Sequence, residues 1–213
     1  MIANLERFHM DHKAHIPFVL ADGPHVAAAL EPLARARLVQ CVAATADMFE
    51  QQLAGVDAGR PVLHACLCEA LTPDVDPGLA CWPDTVLCSH DGSVRLQPTW
   101  PAPDVAAPAT CCAHPTSLGS PERRTLLAAT CPADLADPAC HAFALACAGR
   151  APWGLVRGVH IGHADRSRWW RRTGANRRTQ ADALHHMMEV VGAAAGSWRR
   201  DSARVAPPKG TST

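Results

Sequence analysis

The chain has no tyrosine, four phenylalanines and two lysines in 213 residues. With so few aromatics, its core must rest on Ala, Leu, Val and Met, with six tryptophans as the large pieces. No apolar run reaches the length a membrane-spanning helix needs. The opening, Met1 to His9, lacks the apolar stretch of a secretory signal. A cytoplasmic protein is therefore expected, with its ten cysteines as thiols or ligands rather than disulfides. Also missing are a phosphate loop, a dinucleotide fingerprint, a serine nucleophile elbow, a local cysteine-nucleophile signature and a paired-carboxylate site. A zinc deaminase is excluded, because His64-Ala65-Cys66 lacks the proton-carrying Glu and no P-C-x-x-C follows. These absences predict a protein that is not an enzyme.

A net charge of zero conceals a split. Residues 1–149 hold 16 acidic and 8 basic side chains, and residues 150–213 hold 4 and 12. The two ends therefore meet different partners, or each other. Eighteen of the twenty basic residues are arginine, the imprint of a GC-rich genome or of a need for guanidinium groups. An apolar content of 48% is that of a globular chain.

Along the chain, Leu33, Leu38, Cys41, Val42, Thr45, Phe49 and Leu53 recur at helical spacing after Pro32, predicting one long helix that stops at Gly55. Residues 60–69 alternate as a strand, with Leu63, Ala65 and Leu67 on one face and His64, Cys66 and Cys68 on the other. Residues 70–83 and 98–108 are proline-rich and read as loops. Asp91-Gly92 marks a hairpin turn between Val86-Leu87-Cys88 and Val94-Arg95-Leu96. A short strand is expected at Ala109–His114 and a longer one at Trp153–Gly162. Ser120-Pro121 and Asp137-Pro138 each open a helix. Thr179 is expected to cap a last helix carrying Leu184, Met187, Met188, Val191, Ala195 and Trp198 on one face.

Two groups suggest binding. His64, Cys66 and Cys68 share a strand face, and Cys88 and His90 share the next, which together would supply zinc ligands. Against that, same-face neighbours on a strand lie roughly 7 Å apart, and free cysteine also serves as a small buried apolar residue. Arg166, Arg168, Trp169, Trp170, Arg171, Arg172, Arg177 and Arg178 form a basic, aromatic stretch suited to nucleic acid or to an acidic protein partner.

From residue 84 onward the order of elements resembles the Tir-chaperone type of type III secretion chaperone. The resemblance is carried by Asp91–Leu96, Ser117–Ala129, Gly158–Gly162, Ser167–Arg172 and Ala181–Trp198. It implies a cytoplasmic homodimer holding a secreted effector segment in extended form, without cofactor or chemistry. The client surface would comprise Val94, Leu96, Val159, Ile161, Arg168, Arg171, Arg172, Met187, Met188 and Trp198. The expected fold is α+β: an antiparallel sheet with helices packed on one side, without parallel βαβ units. It divides into an N-terminal helical segment at 1–59, an α+β domain at 60–200 and a disordered tail at 201–213.

Overall fold

The computed structural model describes residues 16–87, 94–114, 118–150, 152–165 and 174–205. The apolar run Phe18–Asp22 forms β1. Gly23, at φ +80°, turns the chain into α1 (Gly23–Arg35), with Pro24 in its first turn. Pro32 lies inside this helix near its end rather than opening one. Arg37, at φ 53°, then reverses the chain, and Cys41 and Val42 enter β2 (Gln40–Ala44), parallel to β1. Phe49 and Leu53 belong to a separate short helix, α2 (Phe49–Ala54). The single long helix expected here is thus a helix, a strand and a second helix. Helical spacing could not register the left-handed turn at Arg37, where a hydrogen-bonded reversal overrides the pattern. A parallel βαβ unit, not expected from the sequence, is present, and residues 16–59 are not a helical lead segment.

The remaining elements are β3 (Val62–Ala70), β4 (Ala80–Leu87), β5 (Arg95–Leu96), β6 (Ala107–Ala113), α3 (Pro121–Thr130), β7 (Leu135–Asp137), α4 (Cys140–Ala146), β8 (Trp153–Ile161) and α5 (Gly174–Val205). The expected hairpin pairing is present as β4 against β5, with Val86 opposite Leu96, while its turn at Asp91-Gly92 lies outside the described residues. Ser120 caps α3, its hydroxyl accepting the Arg123 N–H. Asp137 ends a strand before α4 begins. Thr179 lies within α5 rather than capping it, and that helix continues to Val205, through the start of the expected disordered tail.

The sheet is mixed, not antiparallel. β1 pairs parallel with β2 and β3, and β3 with β8. β8 then pairs antiparallel with β4, β4 parallel with β6, β6 parallel with β7, and β7 antiparallel with β3. Those last five strands close on themselves as a small barrel, with β1–β2 and β5 as extensions. Helices cover more than one side. On one side α1 and α5 pack over Val19, Ala21, Leu63, Ala65, Trp82 and Val156. On the other, Phe49 of α2 and Phe143 of α4 pack with Leu20, Cys68, Leu155 and Val159. The odd–even alternation along β1 and β3 feeds both layers, which is why these strands read as nearly continuous apolar runs.

Candidate functional site: a buried ion pair at a fork in the sheet

β1 stays paired with β3 as far as Ala65, and β7 takes over the same edge at Glu69. Between them Cys66, Leu67 and Cys68 have no strand partner on that edge, so the sheet forks. Asp22 flanks the fork from the end of β1 and Asp137 from the end of β7. Both carboxylates face one thiol: Cys66 Sγ lies 3.1 Å from Asp22 Oδ2 and 3.7 Å from Asp137 Oδ1.

Arg157 enters the same row from β8, in register with Cys66 and Cys81. It is 0% exposed and Asp137 is 1% exposed. Arg157 donates from Nε to Asp137 Oδ2 at 2.5 Å, from Nη1 to the His64 carbonyl at 2.9 Å, and from Nη2 to His64 Nδ1 at 2.9 Å. A guanidinium only donates, so Nδ1 of His64 accepts and the ring proton sits on Nε2. Among the described residues His64 Nε2 has no hydrogen-bond partner; the ring is held between Phe49 at 4.8 Å and Phe143 at 5.1 Å. Burial, and then the Arg157 charge, push the His64 pKa well below its ordinary value, so the imidazole is neutral at pH 7. Asp137 Oδ1 also accepts the Ala139 N–H at 2.7 Å. Asp137 is thus locked, whereas Asp22 is only half-buried.

Cys66 and Cys68 are protonated at neutral pH, chiefly because burial raises their pKa values, with the Asp137 carboxylate adding to the rise for Cys66. Neither is a ready nucleophile. A second buried pair lies where β3 and β8 end: Arg124 Nη1 on Glu69 Oε2 at 3.0 Å, with Arg124 Nε donating to the His163 carbonyl.

Three of the five sequence-predicted metal residues are among the described residues. His64, Cys66 and Cys68 do share a face, inside the barrel, but His64 is committed to Arg157; Cys88 and His90 lie outside the described residues. Most of the described residues of the predicted client surface are enclosed. Val159, Ile161 and Met187 are buried, Leu96, Met188 and Trp198 are half-buried, and only Val94 is largely exposed. β8 is an inner barrel strand, so its apolar residues face the core. Arg168, Arg171 and Arg172 lie outside the described residues. Asp22, Asp137 and Arg157 escaped the motif reading. The available signal was Arg157 itself, a lone charge in the middle of an apolar strand, a place arginine occupies only with a partner.

Neither a protein-family model nor a curated protein sequence matches the chain. Solved structures do. The fold is similar to Helicobacter pylori MTAN (TM-score 0.62, 9% identity, 85% of this chain and 99% of that one). It is also similar to Helicobacter pylori futalosine hydrolase (TM-score 0.61, 10% identity, 90% and 99%) and to Arabidopsis thaliana 5'-methylthioadenosine nucleosidase (TM-score 0.58, 11% identity, 87% and 95%). This overturns the secretion-chaperone resemblance, which rested on the order of elements and on a few short stretches such as Asp91–Leu96 and Gly158–Gly162. The expectation of a protein that is not an enzyme, with effector, nucleic-acid or Cys/His metal binding as its whole role, is corrected with it: the neighbours are named as nucleosidases and a hydrolase. The fold this chain shares is theirs.

Proposed function

We propose that the chain is a hydrolase of the nucleosidase type, releasing the base from a small nucleoside. The observation that carries this reading is the overlap with nucleosidase and futalosine hydrolase structures, 95–99% of whose chains are covered. Fold analogy supplies the reaction class; the fork supplies a place for it. In sheets with parallel strands, ligands sit in the crevice beyond the carboxyl ends of the strands, where neighbouring strands diverge. Asp22 stands at that point.

Splitting a base from a sugar builds positive charge on the ring and needs a carboxylate nearby to stabilise it or to take a proton from the attacking water. Asp22 is the acid we assign to this work. Asp137 is occupied by Arg157 and the Ala139 N–H, so its part is to hold the floor of the site rigid. His64, neutral and enclosed, orients Arg157. We place the reaction in the cytoplasm, the compartment in which a chain this rich in cysteine keeps its thiols reduced.

The test is release of free base, followed by chromatography, from a panel comprising 5'-methylthioadenosine, S-adenosylhomocysteine, adenosine, inosine and uridine. Turnover of at least one purine nucleoside is expected. Asp22→Asn should lower kcat by about 100-fold or more at little cost in stability. No release from any member of the panel by folded protein would overturn the proposal.

A further inference from the structure

Nothing in the proposed reaction uses the thiols on the far side of Asp137. Cys111 on β6, Asp137 at the end of β7 and Cys140 at the start of α4 are all buried, and one ligand atom from each lies within 4.8 Å of the other two. We infer that Cys111, Asp137 and Cys140 together bind a thiophilic divalent cation of the zinc type, as a structural ion tying β6, β7 and α4.

The geometry suits the ion. With Zn–S near 2.3 Å and Zn–O near 2.0–2.2 Å, a tetrahedral site needs ligand atoms roughly 3.5–3.8 Å apart. Small side-chain rotations reach that from the observed spacing. The donors are selective: two thiolates and a carboxylate favour zinc, cobalt or cadmium over magnesium or calcium. The charges close. Two thiolates and Asp137 carry −3, the ion +2 and Arg157 +1, so the buried assembly is neutral, and two thiol protons leave to solvent for each ion bound. The outer shell is already built, because Arg157 and the Ala139 N–H fix the Asp137 carboxylate.

This trio differs from the sequence-predicted one, and it does not depend on the nucleosidase reading. The full-length protein, purified under reducing conditions from zinc-supplemented cells, should contain about one equivalent of zinc by elemental analysis. After chelation, Co2+ should restore tetrahedral d–d absorption and a thiolate-to-cobalt charge-transfer band. Cys140→Ala should abolish both the zinc and the band, and Cys147→Ala, at the opposite end of α4 and outside the trio, should keep them. Wild-type protein that carries no zinc and gives no charge-transfer band would overturn the inference without recourse to any variant. So would a band that survives in folded Cys111→Ala and Cys140→Ala proteins.

Discussion

Arg157 carries its charge where no water reaches it, and every donor it has is spoken for by Asp137, His64 or the backbone of its own strand. A pair of this kind adds little net stability, since desolvation offsets attraction, but breaking it is expensive. Arg157→Leu should therefore destabilise the protein by about 3–5 kcal/mol in urea titrations. Adding Asp137→Asn should restore part of that loss, because the orphaned charge goes. His64 sets a pH dependence with a definite sign. Its folded-state pKa lies well below 6.5, so between that value and 6.5 only the unfolded chain binds the proton. Stability should fall as pH drops below 6.5, approaching about 1.4 kcal/mol per pH unit from this group. His64→Gln, which keeps an acceptor for Arg157, should remove that part of the slope in denaturation curves taken between pH 7.5 and 5.

At the scale of elements, β8 decides how closely the helical layer sits. A Cβ added at Gly158 would meet Met187 Cε at 2.8 Å and the Ala183 carbonyl at 3.1 Å, and one added at Gly154 would run into the Trp82 ring. The close approach of α5 and of Trp82 is the reason both positions are glycine. Gly158→Ala should cost about 1–3 kcal/mol, measured by thermal or chemical unfolding. Gly154→Ala should cost more, because Trp82 is enclosed by Trp100 and has no room to yield. The legible elements were those whose local signal was not contested: the alternation of β3, the Ser120-Pro121 cap, and the apolar face of α5. β2 was not legible, because Cys41 and Val42 match a helical period as well as they match a strand. Its parallel pairing with β1, distant in the chain, is what settles the matter.

For the molecule as a whole, barrel closure hides the thiols. Of the nine described cysteines, Cys41 is half-buried and the other eight are buried. Burial raises the pKa of Cys41 and Cys81 to about 11 and of Cys147 to about 12. Among these nine, a thiol reagent should modify Cys41 first in native protein and reach the remainder only in denaturant, as peptide mapping by mass spectrometry would show. Labelling of Cys111 and Cys140 at the rate of Cys41 would contradict the enclosed barrel. No helix among the described residues is long and apolar enough to cross a membrane, consistent with the absence of long apolar runs.

The amino-acid sequence alone determined where most strands lie, which residues of β3 share a face, where α3 starts and which side of α5 is apolar. Those are consequences of near-neighbour spacing and capping. It did not determine the fold class, the barrel or the site. Whether strands pair parallel or antiparallel, and that Asp22, Cys66, Asp137 and Arg157 meet, depend on contacts between residues as far apart in the chain as His64 and Arg157, 93 positions. Local periodicity carries no record of such contacts; they exist only once β3 has β1, β7 and β8 along its edges.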